Sequence, residues 1–353
     1  MSPVLDFSLD LVWLLACATL GLVCLLIMGL LLLRWVRWRN EPRQRAFQAR
    51  WRQLLMRCAV GEDVFADLPA LAARERWPFL KLWLHGQMSL KGPARERLAR
   101  MAQTLGCGPW VLSQLGSRYA AERLMAMLAL GFLKQISAAP VLLEQLHKGG
   151  SQTAVHAARA LLDIDVAAHA APVVRCLLDR RDLDFSLVAV MLKPFGASLQ
   201  ATWMAEVPAP GSDDVHLLSW LKLARALALQ LPSEVLQPFL QAPHGTDVLI
   251  AAIRLVQGEI GTREVAALAD HPDWRVRTQV AQALGLIGSP CDMDLLVRLS
   301  TDPQWWVRYR AAQALMRIPG LGREQVQTLI SATGDKYAVS MLAAVVAEEG
   351  AHA

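Results

Sequence analysis

Charge is scarce in this sequence. Charged residues fill 19% of its 353 positions and hydrophobic ones fill 54%. Disordered chains are polar and highly charged, so that class is excluded. Cysteine is scarce as well, with six in the chain, which excludes a disulfide scaffold. Cys58, Cys107, Cys176 and Cys291 are scattered at spacings that fit no metal site and read as small core residues. No segment sustains the alternation of a strand. The signatures of several catalytic centres are missing too. There is no P-loop, no GxGxxG after a strand and no Gly-x-Ser-x-Gly elbow. None of the histidines (His85, His147, His156, His169, His216, His244, His271 and His352) sits in HExxH or at zinc spacing. Asp163 and Asp165, and Asp179, Asp182 and Asp184, are acidic groupings that an acid–base pair would need. They stand near helix ends, where caps, solvated loops and salt bridges to Arg180 and Arg181 account for them better. No cofactor, no metal and no enzymatic activity are expected.

What the sequence has is a long apolar run. The 23 residues from Leu11 to Leu33 carry no charge, and a helix of that length rises far enough to cross a hydrocarbon core. A buried core helix and a cleaved signal peptide are the alternatives. The signal peptide fits poorly, because the residues before the run include Asp6 and Asp10 and no Lys or Arg. The run therefore predicts an uncleaved transmembrane helix over 11–33, after a short N-terminus over 1–10.

The charge asymmetry sets an expected orientation. Residues 34–57 hold eight arginines against Glu41 alone, and basic flanks stay cytoplasmic. The expectation is a single-pass protein with its N-terminus outside and everything after the span in the cytoplasm. Arg34, Trp35, Arg37, Trp38 and Arg39 are the expected membrane-interface residues. After Pro42, Phe47, Trp51, Leu54, Leu55 and Cys58 share one helical face. That amphipathic segment can lie on an anionic leaflet or pack on the next domain, and the pattern fits both. With the basic flank set aside, residues 58–353 balance to zero net charge. A neutral body weakens a nucleic-acid reading, which needs a basic stripe on the folded part.

The body is rich in Ala and Leu, with Gly and Pro between helix-length stretches, and predicts an all-α fold. It also repeats. Pro272–Leu284 (PDWRVRTQVAQAL) aligns with Pro303–Leu315 (PQWWVRYRAAQAL) at an offset of 31 residues, with eight of thirteen positions identical. These residues resemble HEAT repeats, the helix–turn–helix units of α-solenoids. Asp302, Pro303, Val307, Arg308, Ala312 and Leu315 match the family pattern, and Pro272, Val276, Arg277, Ala281 and Leu284 match it one unit earlier. His271 stands where Asp302 would align, so the earlier unit departs from the pattern there.

The resemblance implies a fold and a set of structural roles. Asp302 would cap a helix begun by Pro303, and Val307, Ala311, Ala312 and Leu315 would face the core. Arg277 and Arg308 would belong to the family's structural arginine ladder. Weaker copies place inner helices at 120–131 and 153–162. Ala139-Pro140-Val141 and Ala171-Pro172-Val173 would open outer helices, and 182–207, 213–242 and 245–269 would be degenerate units. The HEAT-like region would cover 118–335, after a helical cap or divergent repeats over 58–117 and before a closing helix over 336–353. Trp77-Pro78-Phe79 and Trp83 read as core of the cap, and residues 206–214 as an exposed loop or hinge.

The aromatic residues give the candidate site. Trp274, Trp305 and Trp306 open the repeats' inner helices, and Tyr309, Arg275 and Arg310 lie beside them. Trp, Tyr and Arg dominate interface hot spots, so these six form a candidate partner-binding patch. Groove filling between repeats competes for Trp274 and Trp305, while exposure is expected of Trp306. The leading functional expectation is a bacterial inner-membrane scaffold that binds a protein partner in envelope, polysaccharide-synthesis or signalling machinery. A bilin-lyase-like HEAT-repeat enzyme and a HEAT-like nucleic-acid-binding protein are the alternatives.

Overall fold

The computed structural model describes residues 3–209, 212–241, 244–256 and 262–352. The described residues form helices and no strand, as the all-α reading expects. The chain divides into two compact units, Met1–Ser113 and Gln114–Ala353. The loop expected over 206–214 joins two helices within the second unit, and its residues 210–211 lie outside the described ones.

The first unit holds α1 (Pro3–Val60), α2 (Arg76–Ser89), α3 (Pro93–Thr104) and α4 (Cys107–Ser113). The apolar run does not form an element of its own. It is the first part of α1, which continues unbroken through Pro42 and the eight arginines to Val60. Among the described residues, no helix is long and apolar enough to cross a membrane. The expected transmembrane helix over 11–33, and with it the single-pass inner-membrane placement, is therefore corrected. A count of uncharged residues set the ends of the expected span, whereas in the fold the helix carries the apolar run and the arginine-rich stretch together. Arg34 and Trp35 are exposed on this helix, and the side chains of Arg37, Trp38 and Arg39 lie outside the described ones. Their expected interface role loses its basis.

The far end of α1 belongs to a core. Trp51, Leu55 and Cys58 are buried, and the Trp51 ring meets Phe79 of α2 edge-on at 4.7 Å. Of the two readings of the amphipathic face, packing is the one observed for these residues. Phe79, Leu80 and Trp83 of α2 and Leu98 and Met101 of α3 complete this core. The Trp83 indole N–H donates to the Leu98 carbonyl at 2.8 Å. Arg97 of α3 donates to the carbonyls of Cys58 and Ala59, satisfying groups that the end of α1 leaves open. Trp77 is half-buried and packs edge-on against Trp110 of α4.

The second unit is a series of helix pairs. In chain order these are α5 (Ala120–Phe132) with α6 (Ala139–Lys148), α7 (Ser151–Ile164) with α8 (Val166–Asp179), and α9 (Phe185–Leu192) with α10 (Gly196–Ala205). Then come α11 (Asp214–Ala226) with α12 (Ser233–Gln241), and α13 (Thr246–Ile253) with α14 (Thr262–Ala267). The last pairs are α15 (Trp274–Ile287) with α16 (Met293–Leu299), and α17 (Trp305–Arg317) with α18 (Arg323–Ala332), followed by a single helix α19 (Lys336–His352). Each odd-numbered helix from α5 onward packs on the next odd-numbered one, so these helices form one continuous layer. The even-numbered helices pack against that layer, except that α10 packs chiefly on α8. Residues 242–243 and 257–261 of the expected degenerate units lie outside the described ones.

Small residues set the spacing within the layer. A Cβ added to Gly131 of α5 would meet the Ala160 Cα of α7 at 2.9 Å, and one added to Gly285 of α15 would meet the Ala314 Cβ of α17 at 2.5 Å. Both glycines sit where helix backbones approach most closely. Farther along, Trp203, Trp220 and Phe239 form a column of rings through α10, α11 and α12, with neighbouring centroids 5.9 Å apart. One expected helix start differs. Pro172 lies inside α8 rather than opening it, because Asp165 accepts the Ala168 N–H at 3.2 Å and starts the helix six residues earlier.

Two expected outcomes follow from this packing. Gly285→Val should destabilise the second unit by about 1–3 kcal/mol through overpacking, read as a fall in midpoint on urea unfolding. Asp292 is buried at 8% exposure, its Oδ2 has no hydrogen-bond partner, and burial raises its pKa. A raised folded pKa means that this carboxyl favours the fold at low pH and loses that contribution as pH rises through the folded value. Asp292→Asn should therefore raise Tm at pH ~7, with the gain shrinking as pH falls through the raised folded value and gone once pH reaches the ordinary carboxylate value of ~4. An unchanged gain at low pH would contradict the burial argument.

Candidate interaction surface

One turn is built three times at intervals of 31 residues. His271 Nδ1 accepts the Asp273 N–H at 3.0 Å, Asp302 Oδ1 accepts the Gln304 N–H at 2.8 Å, and Thr333 Oγ1 accepts the Asp335 N–H at 3.3 Å. Each turn leads into an inner helix, namely α15, α17 or α19. The helices begin two residues after Pro272 and Pro303, at Trp274 and Trp305. Asp302 is therefore not the residue that caps α17. The position before that helix is Gln304, whose side chain makes no capping bond, whereas Asp273 caps α15 by accepting the Arg275 N–H at 2.8 Å. The capping carboxylate belongs two residues later than the family pattern suggested.

Asp302 is instead held by the preceding repeat. Arg277 Nε and Nη2 donate to its two carboxylate oxygens at 2.7 and 3.0 Å, a bidentate clasp. Only 14% of the Arg277 side chain and 8% of the Asp302 side chain are exposed. The Arg277 Nη1 also donates to the carbonyls of His271 and Pro272. Arg308 repeats the latter contacts one unit on, donating to the carbonyls of Asp302 and Pro303 at 2.8 and 2.9 Å. Both arginines are thus bonded to the turn that precedes their own helix, and Arg277 also to the next repeat. Val276 and Val307 are fully buried behind them.

The candidate patch lies at the entrance to these helices. Trp274, Trp305 and Trp306 are 37%, 46% and 51% exposed, so none of the three is consumed in filling a groove. Trp305 stacks on Tyr309 at 5.1 Å with the rings 9° apart, and Trp306 stands at right angles to both. The Arg310 guanidinium lies 5.6 Å from the Tyr309 ring and donates to Gln313. Gln313 in turn donates to the Tyr309 hydroxyl, which donates to Glu348 of α19 at 2.6 Å. That bond, with partial burial, raises the Tyr309 pKa. Four of the six candidate residues thus form one cluster that is hydrogen-bonded through Tyr309 and Arg310 and exposed at its rim.

Trp274 and Arg275 stand one helix earlier. Arg275 is tied to Asp273 at 2.7 Å, with Asp247 at 3.9 Å. The aromatic ridge also extends the other way, which the sequence reading missed. The 31-residue offset carries Trp306 onto Tyr337, which is 61% exposed at the start of α19. Glu348 was missed as well, since nothing in its position 39 residues on announces a bond to Tyr309, whereas Gln313 stands four residues after Tyr309 on α17, a spacing that a helical reading pairs. Among the described residues, no group of three or more His, Cys, Asp or Glu side chains is placed to hold a metal ion.

Residues 233–316 and 263–347 match the family model described as HEAT repeats. This stretch of the chain carries HEAT repeats. The match begins later than the expected 118 and runs past the expected 335, so it includes most of α19. Pairs α5/α6 through α9/α10 share the layered arrangement while lying outside the matched residues. No curated protein matches the chain.

The Arg277–Asp302 clasp joins two repeats across a mostly buried contact. Arg277→Ala should cost about 3 kcal/mol of stability, because it strands the Asp302 carboxylate. Urea unfolding checks this, and a midpoint equal to that of the parent would show the clasp to be energetically idle.

Proposed function

We propose that this protein is an adaptor that binds a protein partner through the aromatic ridge at the entrance to its HEAT-repeat helices, without chemistry of its own. HEAT repeats are typical protein-interaction scaffolds, because stacked helix pairs offer long surfaces. The observation that carries the reading is the exposed Trp305–Trp306–Tyr309 cluster within the matched repeats. Large aromatic rings left in water have a hydration cost that a partner removes. Their low side-chain entropy keeps the cost of ordering them on binding small. Arg310 and Arg275 supply charged rims, and the Tyr309–Glu348 bond holds the cluster in place before a partner arrives.

The expectation of a client in envelope, polysaccharide-synthesis or signalling machinery rested on a membrane anchor. The proposal therefore names no pathway. Zero net charge on the body and the match to repeats rather than to an enzyme favour a protein partner over nucleic acid or bilin chemistry.

The test is affinity capture from the native host, comparing the parent with the double variant Trp306→Ala, Arg310→Ala. A partner recovered by the parent should be lost with the variant, while both proteins melt at the same temperature. Equal recovery by both would sink the assignment of this patch.

A further inference from the structure

The arginine ladder of the HEAT repeats has one complete rung and one open one. At the complete rung, Arg277 Nε and Nη2 grip the Asp302 carboxylate while Nη1 holds two carbonyls of its own turn. One unit later, Arg308 Nη1 holds the equivalent carbonyls, those of Asp302 and Pro303. The residue that should complete that rung is Thr333. It is equivalent to Asp302 by sequence offset and by geometry, since each accepts the N–H two residues on. Threonine brings no carboxylate, and its hydroxyl is already committed to the Ile330 carbonyl at 2.6 Å. The Arg308 Nε is buried and has no hydrogen-bond partner. A guanidinium has five N–H donors in a fixed fork, and leaving one of them dry and unpaired is costly.

The surroundings fit an incoming anion. The Tyr337 ring lies 5.7 Å from the Arg308 guanidinium carbon, and Lys336 lies 5.3 Å from the same ring. Two cations thus lie against one aromatic ring, and among the described residues no carboxylate is bonded to either. Tyr337 is 61% exposed and belongs to the first turn of α19, so its ring covers Arg308 from the surface and is not part of the core. Its contact with Arg308 is a cation–π interaction, weaker than the bidentate carboxylate bond that Arg277 makes in the same setting.

We propose that Arg308 is a receptor for a carboxylate side chain presented by an acidic segment of a protein partner, which supplies from outside the rung that Thr333 omits. The occupant is a carboxylate because the matching fork of Arg277 already takes one, in bidentate fashion, in the same turn. Charge complementarity with Lys336 favours a segment with more than one acidic residue. This site is separate from the Trp305–Trp306 cluster, and either can fail without the other.

The test follows the Arg308 Nε–H resonance of the isotope-labelled full chain, assigned by its loss in Arg308→Lys. The probe is an acetylated and amidated peptide, Gly-Asp-Glu-Asp-Gly. The controls are the same peptide with Asn and Gln in place of its acids, and sodium acetate. A saturable shift with the acidic peptide is expected, with none from the amide peptide and none from acetate at the same concentration. Thr333→Asp should close the rung from within. It should move the resonance to a hydrogen-bonded position before any peptide is added, raise Tm and abolish the peptide response. Trp306→Ala should leave the response intact, which separates this site from the aromatic cluster. No shift in the parent, or an equal shift in Thr333→Asp, overturns the proposal. A response to acetate as strong as that to the peptide overturns the protein-borne source of the carboxylate.

Discussion

The close approach of successive inner helices is the constraint on which the second unit depends. A stack of helix pairs has no central core of its own, and each pair buries its apolar face only against its neighbours. The faces that make this possible are built of small residues. Gly131 against Ala160 and Gly285 against Ala314 leave no room for even one added carbon. Ala126, Ala157, Ala160, Ala281, Ala311 and Ala312 are buried along the same layer. With small residues at the crossing, larger ones such as Leu130, Leu161, Leu284 and Leu315 fill the space on either side.

Polar groups then register the stack. The turn before each of the last three inner helices is closed by a side chain that accepts an N–H two residues on. The chemistry of that side chain changes from histidine to aspartate to threonine. Only aspartate can also receive the arginine of the preceding repeat. The register is therefore locked by a clasp at one turn and merely shaped at the others. The same positions open onto the exposed aromatic ridge, so the residues that fix repeat spacing also space the surface side chains. Surface and core share one period because both are read off the same helix starts.

The sequence reading failed where it treated a run of residues as an element. The 23 uncharged residues from Leu11 to Leu33 suggested a span, yet the helix that contains them is 58 residues long and runs on to Val60. Leu20, Leu25 and Leu30 are exposed there and add nothing to the core that Trp51 and Phe79 build at the other end. The same kind of error, on a smaller scale, placed a helix start at Pro172 and a cap at Asp302. Helix boundaries depend on which carboxylate reaches which N–H, and that is a matter of a few dihedral angles rather than of composition.

The sequence by itself determined the all-helical class, the 31-residue period and the buried valines and alanines of the last repeats. These are local matters, since propensity and periodicity act within one helix or between neighbouring repeats. It also marked Trp306 as exposed, because two adjacent tryptophans cannot face one side of a helix. Only the tertiary structure decided that Trp274 and Trp305 are exposed as well, and that Tyr309 is held by Glu348 from α19, 39 residues away. It alone showed that Asp302 answers an arginine 25 residues earlier rather than its own helix. Those bonds join residues on different helices, and which side chains meet across helices is settled by how the pairs stack.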